Sequence, residues 1–178
     1  RVYLEGSLHN NGNIKTASGM PLMKDQLRQN GFTGQCYIPS QDPYKFQTPN
    51  FDLRNKYPQV NNQMANRFSS IPNYAEIMGV TGENAIVDWV FVELRSKTDS
   101  TEIIATRSGL VQRDGDVVDL DGVSHLRIPG VAADSFFVAI RHRHHLGAMS
   151  EKVFSGDLID FTSLDQPIFN FGSRLNNG

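Results

Sequence analysis

The 178-residue chain predicts an all-β fold: a sandwich of stacked sheets with one short N-terminal helix and a long irregular loop. Three observations point there. Residues 86–95, 101–111 and 135–144 are runs of β-branched and aromatic side chains, a composition that suits a pleated and at least half-buried surface. The runs are punctuated by an acidic stretch over residues 114–122 and by Pro129-Gly130, both of which read as turns. Each run is also too short and too often interrupted by charge to span a bilayer, which takes roughly 20 apolar residues.

In chain order, Arg1-Val2-Tyr3-Leu4-Glu5-Gly6 alternates like a short strand, and residues 10–13 are turn-rich. From residue 20 the pattern becomes helical. Pro21 stands at a first helical position and Asn30-Gly31 at a stop, with Leu22, Met23 and Leu27 as the buried stripe. Residues 32–74 show no period and are rich in Asn, Gln, Pro and aromatics, which marks an elaborated loop or an insertion. In the first long run, alternation sorts Asp88, Val90, Val92 and Leu94 onto one face and Trp89, Phe91, Glu93 and Arg95 onto the other. In the run near 140, Phe136, Val138, Ile140, His142 and His144 share a face opposite Phe137, Ala139, Arg141 and Arg143. Residues 153–162 and 167–172 are two further strand-like segments. The expected organisation is a single domain over 1–178, with core strands about 75–149, a loop-rich insertion at 32–74 and C-terminal strands or a tail at 150–178.

Hydrophobic residues at 39% imply a modest core among ample loops. A formal charge of -2 with no basic run lacks the electrostatic footprint of a nucleic-acid partner. A lone cysteine, Cys36, excludes an internal disulfide and a multi-cysteine metal site. With neither an initiator Met nor an apolar signal segment before Arg1, the numbered chain reads as a processed or excised piece of a longer product.

Two constellations invite a metal. Asp114, Asp116, Asp119 and Asp121 form an oxygen-rich cluster of the kind calcium prefers, although the spacing of a helix-flanked calcium loop and its distant Glu are absent. The alternative is a hairpin in which Asp114-Gly115 and Asp121-Gly122 turn the chain and the remaining carboxylates meet water or arginines such as Arg113, Arg141 or Arg143. Among the histidines, His142 and His144 would lie about 7 Å apart on one strand face, but spacing nominates no third ligand. No nucleophile elbow, phosphate loop or His-Glu-x-x-His pattern occurs. The reading is therefore non-catalytic, with no cofactor besides the calcium candidate. Ring faces of Tyr44, Phe46 and Tyr57 would suit a glycan; the alternative is that such aromatics pin the loop onto the sandwich.

The segments Ile86-Val87-Asp88-Trp89-Val90-Phe91-Val92-Glu93-Leu94-Arg95, Arg113-Asp114-Gly115-Asp116-Val117-Val118-Asp119 and Val138-Ala139-Ile140-Arg141-His142-Arg143-His144-His145-Leu146-Gly147-Ala148-Met149 resemble a module of large secreted, adhesin-like surface proteins of gliding-type Gram-negative bacteria. The likeness extends to the opening residues and the 20–31 segment, and residues 37–73 depart from it. The middle of the chain is also similar, more distantly, to the transthyretin-like sandwiches of bacterial surface stalks. These resemblances imply an Ig-like or transthyretin-like β-sandwich and a secreted, extracellular, cell-surface location. They carry over no catalytic residues. The expected function is a structural or adhesive unit, a subunit of an extracellular filament built by exchange of a strand or tail; the alternative is a carbohydrate-binding module. Expected partners are further copies of the chain or other surface proteins, with a glycan as the alternative. A terminal strand exposes backbone groups that a neighbour can complete, so Arg1, Val2, Tyr3 and Leu4 at one end and Phe169 and Phe171 at the other are the candidate assembly residues.

Overall fold

The computed structural model describes residues 1–4, 7–8, 14–28, 36–45, 70–145, 147–163 and 168–169. The regular structure among these residues is mostly strand, with little helix, and the fold is all-β. Two long strands, β1 (Ile86–Ser96) and β2 (Ile103–Gln112), pair antiparallel, with Trp89 opposite Leu110 and Phe91 opposite Ser108. β2 turns into the two-residue β3 (Val117–Val118), while β4 (Ser135–Arg141) lies on the other side of β1, with Val92 opposite Ile140 and Leu94 opposite Val138. Two short strands, β5 (Ala148–Met149) and β6 (Val153–Phe154), both pair with β4, and the sheet order is β3-β2-β1-β4-β5. Register shifts at Ile86/Asp88 and Leu94/Arg95 interrupt the β1–β2 ladder; such irregularities bend a strand and increase its twist, so the sheet curls.

Both faces of the sheet are buried, as the alternation in β1 predicts. On one face Trp89, Phe91, Ile103 and Leu110 pack with Ile38, Tyr44, Ile71, Ile77 and Met78. On the other, Val90, Val92, Val111, Phe136, Val138 and Ile140 pack with Leu4 and Met23. Each such side chain contributes roughly 1.5–3 kcal/mol by leaving water, and this two-sided burial makes β1 the spine of the molecule.

Residues 20–28 are not helical, contrary to the sequence expectation. The backbone is drawn out to distant partners instead: Leu22 N–H donates to Ile14 O at 2.8 Å and Met23 N–H to Arg113 O at 2.7 Å. The Arg113 guanidinium donates back to Met23 O at 2.8 Å. Pro21 and Met23 sit in isolated bridges to Lys15 and Leu8, and only a turn at residues 26–28 remains. Tertiary pairing thus outweighs a local helical preference worth only tenths of a kcal/mol per residue. Residues 29–31 lie outside the described residues. Among the described residues a short α-helix, α1 (Tyr74–Gly79), buries Ile77 and Met78 against the first face, and the Tyr74 hydroxyl donates to Ile38 O.

The acidic stretch is a hairpin, as read. Gly115 and Gly122 take positive φ values of 88° and 76°, the conformation glycine adopts without steric cost. At Gly115 the need is doubled, because a Cβ would lie 2.9 Å from Val2 O and 3.0 Å from the Tyr3 ring.

The segment 1–4 forms no ladder. It runs instead between the hairpin and the later chain, with Val2 N–H donating to Gly115 O at 2.8 Å and Phe161 N–H to Arg1 O at 2.9 Å. Of the two later strand-like segments, Val153–Phe154 is strand among the described residues and Ile168 sits in a bridge to Ser150; residues 167 and 170–172 lie outside the described residues.

Candidate functional site

Charged side chains are buried along β1 in two clusters, and the sheet register explains how they meet. Asp88 and Glu93 are both 0% exposed. Glu93 Oε2 accepts from Arg95 Nε and Nη2 at 2.9 and 2.6 Å, and its Oε1 accepts from Arg141 Nε at 2.7 Å. Alternation along β1 and the antiparallel pairing with β4 put Arg95, Glu93 and Arg141 on one face. One carboxylate thereby faces two guanidiniums.

Asp88 anchors the second cluster. It accepts from Arg143 Nη2 at 2.9 Å and Nε at 3.1 Å, from Trp89 N–H at 2.8 Å, and from His142 Nε2 at 3.1 Å. A carboxylate only accepts, so His142 carries its proton on Nε2, leaving Nδ1 to accept from His144 N–H at 3.2 Å and from His145 Nδ1 at 2.6 Å. Burial would raise the Asp88 carboxyl, but the His142 hydrogen bond, the Arg143 charge and the Trp89 amide outweigh it and hold the group below the ordinary carboxylate range. β4 ends at Arg141, so residues 142–145 leave the strand and the His142 and His144 rings sit 6.0 Å apart, centroid to centroid. The histidines are thus held to Asp88 and to each other.

A cleft of about 900 Å³ opens on the sheet face opposite Trp89 and curves past the hairpin to α1. Val92, Leu94, Phe136, Val138 and Ile140 floor it, and the connections 123–131 and 153–161 supply Leu126, Ile128, Val131, Ile159 and Phe161. Val123 and Leu158, each 80% exposed, and Phe154, 55% exposed, stand at it as well. Arg1, Asp116, Asp121 and Asp157 supply its charge, and His125 also lines it.

The sequence-predicted residues are distributed unevenly over this architecture. Tyr44 is buried, its ring 5.3 Å from that of Phe91, and its hydroxyl donates to Trp89 O at 3.1 Å. It pins residues 43–45, a single 3-10 turn, onto the sheet and presents no ring face to a glycan. Phe46 and Tyr57 lie outside the described residues. Burial pushes the Tyr44 phenol well above its usual value. The unfolded phenol ionises near pH 10 while the folded one stays neutral. Tyr44 therefore contributes stability that is complete below that pH and declines as pH rises beyond it. Tyr44→Phe is expected to lose about 1 kcal/mol at neutral pH and to fall less steeply in alkali, as urea unfolding at pH 7 and above pH 10 would measure. Equal alkaline slopes for the two proteins would refute this.

The four aspartates of the hairpin are not gathered into one site. Asp116 pairs with Arg1, and Asp119 takes Arg107 Nη2 on both oxygens at 2.7 Å. Asp121 accepts from the Val123 and Ser124 amides at 2.9 and 2.8 Å, while Asp114 accepts from Asp116 N–H at 3.0 Å. The arginines differ from those expected: Arg113 reaches Met23 O, Arg141 reaches Glu93 and Arg143 reaches Asp88. Among the described residues no group of three or more His, Cys, Asp or Glu is arranged to hold a metal ion.

Of the assembly candidates, Arg1 and Val2 are tied into the fold as described above. The Tyr3 hydroxyl donates to Pro21 O at 3.0 Å, and Leu4 is buried in the second core cluster. Phe169 meets Phe137 edge to face at 5.0 Å. Phe171 lies outside the described residues.

Sequence reasoning missed the cleft and both charge clusters. Two acids in the otherwise apolar run Asp88-Trp89-Val90-Phe91-Val92-Glu93 were the available signal, since a charge in a strand buried on both faces requires a partner. No helix among the described residues is long and apolar enough to cross a membrane. Compared with known proteins, the chain matches no family model, no curated protein and no solved structure.

Proposed function

We propose that this chain is a non-catalytic structural or adhesive module of a secreted, cell-surface protein, a β-sandwich of the Ig-like or transthyretin-like kind that self-associates into an extracellular filament by exchanging terminal segments. The observation that carries this reading is the finish of the sheet. Both margins end in two-residue strands: β3 on one side, β5 and β6 on the other. Among the described residues, single bridges lie beyond them: Val118 to His125 and Ser150 to Ile168. Fragments this short are held by few backbone hydrogen bonds, and the same bonds made by a neighbour's segment would add a strand across two molecules. Residues 1–4, secured through Val2 and Arg1 to Gly115 and Phe161, are the segment best placed to cross. The charge clusters support a structural role, because Asp88 and Glu93 are spent on intramolecular partners.

Light scattering and electron microscopy of the full chain are expected to show ordered oligomers or fibres. A variant lacking residues 1–4 should lose them, and a synthetic peptide of residues 1–8 should compete with assembly of the full chain. A chain that stays monomeric at every concentration, or assembly unchanged after either residues 1–4 or residues 161–171 are removed, would sink the filament reading.

A further inference from the structure

We propose that the cleft described above binds a free amphiphile with a long aliphatic chain and an uncharged or cationic head. Its size is the first argument, since about 900 Å³ falls within the roughly 300–1,000 Å³ typical of small-molecule sites. Shape is the second. β1 lines it at Ile86 near one end and at Val92 and Leu94 near the other, positions up to about 26 Å apart at the 3.3 Å strand rise, so the lining is elongated and suits an extended chain better than a compact ring system.

The walls narrow the chemistry further. They carry Val, Leu and Ile with three phenylalanines, and neither Trp nor Tyr. A sugar needs flat amphipathic rings and convergent hydrogen-bonding groups, whereas methyl and methylene walls match a hydrocarbon through apolar burial alone. The exposure of Val80, Val123, Phe154 and Leu158, all of which line the cleft, leaves apolar area at the mouth that a bound chain would cover.

Charge selects the head. Asp116, Asp121 and Asp157 line the cleft against a single guanidinium, that of Arg1, which is already paired with Asp116. The Asp121 carboxylate is fixed by two backbone amides and the Ser124 hydroxyl, and Asp157 accepts from Phe154 N–H at 3.0 Å. These acids are held in place, so a carboxylate head would meet like charge while a hydroxyl or ammonium head would not. This inference does not rest on the filament reading; of residues 1–4, only Arg1 lines the cleft.

The test uses the full chain and N-phenyl-1-naphthylamine, a neutral apolar fluorophore, with decanol, decylamine and decanoate as competitors below their aggregation limits. The dye is expected to brighten on binding, and decanol and decylamine to displace it, with decanoate about tenfold weaker because of like-charge repulsion. Val131→Trp, on a half-buried connection, should fill the cleft and abolish uptake; Leu94→Trp, on the floor, is the second blocking variant if the first fails to fold. Absence of dye uptake, uptake unchanged in a folded blocking variant, or decanoate as the strongest competitor would overturn the proposal. So would dye exclusion that grows with protein concentration, which would assign the cleft to a second copy, or flotation with phosphatidylcholine vesicles that survives in the blocking variant, which would assign its mouth to a membrane surface.

Discussion

Glu93→Gln is expected to lower the unfolding free energy by about 3–5 kcal/mol, the cost of removing one partner from a buried ion pair. The substitution keeps the shape of the side chain and deletes its charge. The amide keeps one acceptor oxygen for two guanidiniums, so one of them meets its NH2 group instead; Arg95, whose side chain is 11% exposed, retains Ser100 O at 2.7 Å. Arg141 is about a third exposed and regains water, so it contributes the smaller share. Most of the loss therefore arises from Arg95 and from the unsatisfied amide at position 93. Urea unfolding followed by fluorescence of Trp89, the sole tryptophan of the chain and fully buried, reads the change directly. A loss below about 1 kcal/mol would mean that water reaches this cluster in solution. Replacing Glu93 and Arg95 together by apolar residues of similar volume should recover part of the loss, since a well-packed apolar pair often equals a buried ion pair.

Asp88→Asn is expected to have a comparable effect at neutral pH, about 3–5 kcal/mol, because Arg143 and His142 both lose their carboxylate. Its pH dependence identifies the cause. The Asp88 carboxyl is lowered in the folded protein, so its contribution is complete above the unfolded value of about 3.9 and is lost as pH falls through the folded value. The gap between wild type and Asp88→Asn should stay constant from pH 7 to about 5 and close as the solution is acidified below about 4. A gap that stays constant to pH 2, or widens, would show that Asp88 acts through packing alone. The acid limb of the wild-type curve should also be steeper than that of the variant, and midpoints of urea unfolding at successive pH values measure both quantities.

How much of this was legible in the chain depends on the range of the interactions. Alternation along residues 86–95 correctly assigned Val90, Val92 and Leu94 to one face and Trp89 and Phe91 to the other, because strand periodicity is a property of the backbone alone. The glycines after Asp114 and Asp121 announced the two turns for the same local reason. The Pro-first, Asn-Gly-last pattern of residues 20–31 is a local helix signal, whereas over residues 20–28 the pairing comes from far along the chain: Arg113 takes the Met23 carbonyl that a helix would use, and Ile14 and Arg113 accept from Leu22 and Met23. Nothing near Arg143 marks it as the partner of Asp88, 55 residues away, and the hairpin aspartates took Arg1 and Arg107 in place of the arginines expected.

By itself the order of residues determined the class of the fold, the alternating faces of its long strands and the positions of its turns, since each follows from the geometry of a few consecutive residues. Only the folded chain decided which charges are neutralised by which, that residues 1–4 lie between the hairpin and Phe161, and that the connections 123–131 and 153–161 leave an aliphatic cleft over β1 and β4. Those outcomes depend on how distant segments close against one another. Burial penalises any unpaired charge or backbone group, and so selects partners by spatial proximity, whatever their separation along the chain.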